Sequence, residues 1–158
     1  PQLGLWTSEA LRERTGADVA LYNLGGFRGG LAKGPVYVEN VHDLVYRNRI
    51  VTFRTTGAVL REMLAHNFEQ GSRDRVAVSG IAATYEAGKG FGAFSVEDDR
   101  EVLVALPEWT ARHGKDLFGR TIDFEIRDDF VHEVLIAWLL DHDRIETPTQ
   151  RVNVVGER

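Results

Sequence analysis

Residues 18–30, DVALYNLGGFRGG, constrain the fold most tightly. Val19, Ala20, Leu21 and Tyr22 form an apolar run with nothing to offer water. A strand of that kind is covered on both faces and belongs at the centre of a sheet. It stops at Asn23, and two glycine pairs, Gly25-Gly26 and Gly29-Gly30, then bracket Phe27 and Arg28. Glycine lets a backbone turn sharply and lets another group approach it closely. An amide and one fixed cation there mark either a tight turn or a place where backbone and arginine meet a ligand.

Patterns elsewhere mix helix and strand without a regular βαβ repeat, which predicts an α+β domain in layers. Apolar positions at Leu3, Trp6, Ala10 and Leu11 predict a first helix, closed by Thr15-Gly16. Val36–Val38 reads as a short extended piece, and 40–45 as a short helix. Ile50–Thr55 alternates as a half-buried strand. Thr56 caps a helix that turns Leu60, Met63, Leu64 and Phe68 inward. Val76–Ser79 and Ile81–Tyr85 read as strands around Gly80, and EAGKGFGAF as a hairpin-like loop. Val102–Leu106 is another buried strand, and Ile122, Phe124 and Ile126 alternate with charges. A helix over about 128–142 and a closing strand at Val152 and Val154 complete the chain. With 158 residues, one domain over 1–158 is the simplest organisation. The helical pattern starts at once, as expected of a domain cut from a longer chain.

Composition excludes more than it assigns. The net charge is −5 and no basic block stands out, which argues against nucleic acid as a partner. A small anionic ligand needs only a local positive site. Cysteine is absent, so disulfides and thiolate metal sites are too. No apolar run is long enough to span a bilayer. The five histidines show no i, i+4 pair of the kind that seats zinc on one helix face. Ser79 in VAVSG lacks the flanking glycines of a nucleophile elbow and reads as structural. GKGFG at 88–92 is followed by a strand pattern, so it reads as a hairpin and not a nucleotide loop. DHD at 141–143 reads as a solvated helix end. No catalytic residue and no metal ligand is assigned.

Three loop stretches remain: YNLGGFRGG, DLVYRNRIV (43–51) and LPEWTARHGKDLF (106–118). Each flanks a predicted strand, where sites collect. Between them they hold Asn23, Arg28, Tyr46, Asn48, Trp109 and Asp116. Singly, each has a plain structural reading: covering apolar surface, facing solvent, or capping. Together they suit a nucleoside, with rings to hold a base, amides to read its edge, a carboxylate for ribose hydroxyls and an arginine fork for phosphate.

Here the chain resembles the C-terminal domain of the 5'-nucleotidases. GADVALYNLGGFRGGLAKGPVYVENVHDLV is similar to a GAD-apolar-N-x-GG-x-R segment of that family. VYRNRIVTFRTTGAVLREMLAH is similar to its aromatic-G-N, strand, T-G, helix segment. VAVSGIAATYEAG resembles a V-S-G-strand segment, and the final helix with QRVNVV resembles the closing part. The resemblance implies a four-layer α/β/β/α sandwich. It also implies a substrate-binding role for this domain, with divalent metal ions and catalysis in a separate N-terminal domain and a periplasmic, secreted or cell-surface location. By resemblance, Asn23 and Arg28 match polar substrate contacts, Tyr46 and Trp109 two stacking rings, and Asn48 an amide beside the first. Gly80 matches a glycine near the ligand, and Asp116 is nearest to a ribose-binding aspartate. Two departures stand out: HGKDLF replaces Gly-Gly-Asp-Gly after the second ring, and Val45 replaces a proline before the first. A non-catalytic binding module, or a relative of the thiosulfohydrolases with the same domain plan, are the alternatives.

Overall fold

A computed structural model describes residues 2–70, 74–146, 148–149 and 151–155. Helix α1 (Gln2–Thr15) leads, through Gly16 at φ +68°, into strand β1 (Val19–Asn23). There follow α2 (Val38–Leu44), β2 (Arg49–Thr56), α3 (Gly57–Glu69), β3 (Val76–Ser79), β4 (Ala83–Glu86), β5 (Gly90–Phe94) and β6 (Glu101–Pro107). The chain continues with α4 (Glu108–Arg112), α5 (Gly114–Phe118), β7 (Glu125–Phe130), α6 (Val131–Asp141) and β8 (Val152–Val155). The result is the α+β class expected, built on two sheets.

The larger sheet has the order β3-β1-β6-β2-β7, and the smaller β5-β4-β8. All five residues of β1 are buried, as its unbroken apolar run requires. Strand alternation then divides the core in two. Ala20 and Tyr22 join Trp6, Leu11, Val41, Ile50 and Leu135 on the face covered by α1, α2 and α6. Val19 and Leu21 join Phe53, Leu64, Phe68 and Tyr85 on the other, where α3 and the small sheet pack. Each fully buried aliphatic side chain contributes about 1.5–3 kcal/mol over exposure. Thr56 caps α3 as expected, its hydroxyl accepting the Val59 N–H at 3.3 Å.

Four local expectations are corrected. Val38 starts α2 instead of ending an extended piece, because the Asn40 side chain accepts the Tyr37 N–H at 2.8 Å and sets the helix start. Ile81 is buried but lies outside β4, because Gly80 at φ +87° turns the chain after β3. Ile122 is also buried ahead of its strand, and Ile126 is largely exposed on β7, which pairs on one side only. Finally, α6 starts at Val131, not near 128, because Asp128–Phe130 complete β7.

Candidate ligand-binding site

Sheet pairing explains why distant loops meet. β1 and β6 run parallel, so Asn23, the last residue of β1, and Trp109, just past β6, leave the sheet at the same end. β2 is antiparallel to β6 with Ile50 opposite Pro107, which brings Tyr46–Asn48, just before β2, to that end too. β3 is antiparallel to β1 with Val76 opposite Asn23, so Asp74 arrives there from before β3. A cleft of about 480 Å³ forms among Tyr22, Asn23, Tyr46, Asn48, Asp74 and Trp109, with Arg47, Pro107, Gly25 and Gly26 completing its lining. That volume lies within the range of small-molecule sites.

Each wall has a physical origin. Gly26 must be glycine: a Cβ there would lie 2.8 Å from the Tyr22 hydroxyl and 3.3 Å from Asn23 Nδ2. The Tyr22 hydroxyl donates to the Gly26 carbonyl at 3.0 Å, and burial pushes its ionisation well above the usual tyrosine range. Asn23 is buried, and its Oδ1 accepts the Thr110 hydroxyl at 2.6 Å, tying β1 to α4. Asn48 Oδ1 accepts the Trp109 N–H at 3.2 Å, and its carbonyl accepts the Val131 N–H at 2.9 Å. Both amides thus use their oxygen within the fold, which leaves N–H donors to read acceptors on a ligand edge. Tyr46 and Trp109 keep 57% and 41% of their surface exposed, far more than any core aromatic. His113 stacks on Trp109 at 4.1 Å between ring centres and 24° between planes, and its Nδ1–H donates to the Trp109 carbonyl at 2.8 Å.

Arg28 stands beside this cleft and not in its lining. Its N–H donates to the Leu44 carbonyl at 2.8 Å, and its guanidinium carbon lies 5.6 Å from the Tyr46 ring centre. Gly80 and Asp116 are elsewhere. Gly80 follows β3, whose far end lies opposite the cleft because β3 is antiparallel to β1. A Cβ on Gly80 would sit 2.1 Å from the Asp18 carbonyl oxygen, so the glycine serves chain packing. Segment 113–118 is largely helical: α5 buries Leu117 and Phe118 and leaves Asp116 on the exposed side, outside the cleft lining. Sequence reasoning missed Asp74 and Arg47. Asp74 is placed by Asn67, whose side chain donates to the Asp74 carbonyl at 3.3 Å and accepts the Val76 N–H at 2.9 Å. Only the β1–β3 pairing brings it in, and no local pattern marks that. Among the described residues no group of three or more histidines, aspartates or glutamates is set to hold a metal ion, and no helix is long and apolar enough to cross a membrane.

Two sheets, flanking helices and a cleft where strand ends converge define a mixed α+β domain with its pocket at one sheet end. The chain belongs to the family of the 5'-nucleotidase C-terminal domain, whose profile matches residues 1–110. Among solved structures it is similar to a 5'-nucleotidase precursor from Thermus thermophilus, at 18% identity and a TM-score of 0.82, covering 99% of this chain and 36% of that one. It is also similar to Haemophilus influenzae NAD nucleotidase, at 18% identity and a TM-score of 0.81 over 98% of this chain and 33% of that one. A Thermus thermophilus sulfate thiohydrolase shares the fold at 15% identity and a TM-score of 0.71, over 99% of this chain and 32% of that one. The chain therefore spans about a third of these relatives' length. No curated protein matches its sequence significantly.

Proposed function

We propose that this domain recognises a nucleotide and presents it to the metal-dependent phosphoester hydrolase domain of a longer chain. One observation carries the reading: Tyr46 and Trp109, 63 positions apart by subtraction of their numbers, are both exposed and line one cleft with two amides. A flat ring held on each contributes about 1–3 kcal/mol by stacking. Asn23 and Asn48 offer N–H donors to its edge, Asp74 supplies the carboxylate within reach of a ribose, and Arg28 meets phosphate beyond Tyr46. Divalent ions in the N-terminal domain would polarise the phosphoryl group and activate water. This chain binds, orients and excludes solvent from the ring.

Support for the nucleotide comes from the family and from the similarity to two nucleotidases. The position of Asp116 favours a second reading, a site adapted to another small anion or to binding alone, and the fold shared with the sulfate thiohydrolase agrees with it. A thermal-shift panel of nucleosides, nucleotides and thiosulfate separates the two. A nucleotide at a hundred times its Kd raises stability by about 2.7 kcal/mol. Stabilisation by thiosulfate alone supports the second reading. The purified chain with nucleoside monophosphate and divalent metal gives no turnover; activity that follows it through purification contradicts the division of labour.

A further inference from the structure

The cleft has a cationic rim that the ring-binding reading does not use. Arg47 lines the cleft, and its guanidinium carbon lies 4.6 Å from the centre of the Phe130 ring. Arg49, directly opposite Phe130 in the β2–β7 register, holds its guanidinium carbon 5.2 Å from the same ring. Arg28 lies over the ring of Tyr46, which lines the same cleft as Arg47. In most of the molecule arginines are spent on carboxylates: Arg12, Arg14, Arg54, Arg61, Arg100, Arg112 and Arg127 each pair with one. Among the described residues Arg28, Arg47 and Arg49 make no ion pair. All three are exposed, in a chain whose net charge is −5. Burial holds the His132 imidazole below its ordinary range, and the charges of His42 and Arg47 add to this against the opposing pull of Glu133. An aromatic face orients a guanidinium without neutralising it, which keeps its N–H fork free for an anion.

We infer that Arg47 and Arg49, seated on Phe130, form a second anion subsite at the mouth of the cleft, which takes a phosphate group beyond the one met by Arg28. For the ligand's ring the inference rests on the nucleotide reading; for the anion it stands alone. It makes the domain selective for ligands with a diphosphate or longer extension over those with a single phosphate.

Calorimetry on the purified protein tests this with a nucleoside monophosphate, the matching diphosphate, and inorganic pyrophosphate as a probe without a ring. The variants are Arg47→Gln with Arg49→Gln, which keep the stems, and Arg54→Gln, which removes a positive charge far from the cleft. The expected result is a loss of about tenfold or more in affinity for diphosphate and pyrophosphate in the double variant, one charge-assisted contact being worth at least that. The preference for diphosphate over monophosphate narrows by the same factor, and R54Q changes neither affinity. An unchanged preference in the double variant overturns the subsite, as does an equal loss for R54Q. If the wild type binds no nucleotide, the nucleotide reading fails and the pyrophosphate arm decides. Pyrophosphate binding that the double variant loses supports the subsite; no pyrophosphate binding overturns it.

Discussion

Trp109 and Trp138 each carry a histidine four residues on, and in each the imidazole stacks on the indole. The ring centres are 4.1 Å apart for Trp109–His113 and 3.7 Å for Trp138–His142. In both, the histidine Nδ1–H donates to the tryptophan carbonyl at 2.8 Å. The spacing alone produces this, since residues four apart on a helix are neighbours. What separates the pair is tertiary. Trp138 meets the buried Trp6 edge-on at 5.8 Å, and its Nε1–H donates to Glu13 at 3.1 Å, which fastens α6 to α1. Trp109 lines the cleft, and no hydrogen bond to its indole N–H is found among the described residues. One indole is tied into the fold through its N–H, and the other keeps 41% of its residue surface exposed in the cleft lining. A local motif therefore says how a ring is braced; the second face and the N–H say what the ring is for.

The largest effect expected from this contrast is on stability. Trp6 is fully buried under Trp138, so Trp6→Ala costs about 3–5 kcal/mol by denaturant unfolding, as large core truncations do. Trp109→Ala costs under about 1 kcal/mol and abolishes most nucleoside binding. Equal destabilisation by the two variants would break the comparison. Next in size is Asn23→Ala, which leaves the buried Thr110 hydroxyl without its partner. A loss of about 1–3 kcal/mol is expected, together with weaker ligand binding. A variant with wild-type stability would mean that the Asn23–Thr110 bond does not hold the cleft together.

Much of the plan is legible in the sequence, for reasons that name particular residues. Val19–Tyr22 marks a central strand because no polar side chain interrupts it, and Thr56 marks a helix start because its hydroxyl fits the cap. Asn23, Tyr46, Asn48 and Trp109 share the cleft because each ends, precedes or closely follows a strand. Gly80 follows a strand as well, yet at the other sheet end; strand direction, which a single sequence does not carry, decides that. Segment 113–118 reads as a loop because of Gly114 and the polar run around it. In the fold Leu117 and Phe118 are buried there, and Gly119 at φ +73° closes the helix.

A smaller effect sharpens the contrast at the α1 side of the molecule. Burial alone would raise the Asp129 carboxyl, but the guanidinium groups of Arg127 and Arg14 outweigh it and hold it below its ordinary value. A depressed carboxylate stabilises the fold above its unfolded value, near 3.9, and loses that contribution as pH falls through the lower folded value. Asp129→Asn should flatten this acid limb in a pH series of melting temperatures, and an unchanged profile would remove Asp129 from the account. The smallest effect belongs to Asp116. Exposed on α5 and outside the cleft, it should tolerate Asp116→Ala within about 0.5 kcal/mol and with unchanged ligand affinity. A marked loss of nucleoside affinity would return it to the site.

The central claim is that Tyr46 and Trp109 form the two sides of a slot for a flat ring. A crystal structure of the protein grown with a saturating nucleoside monophosphate tests it most directly. The predicted result is a base lying between the two rings, with the Asn23 and Asn48 amides at its edge and its phosphate toward Arg28. Ligand density at any other place, or an empty cleft at a concentration that saturates binding in solution, would contradict it.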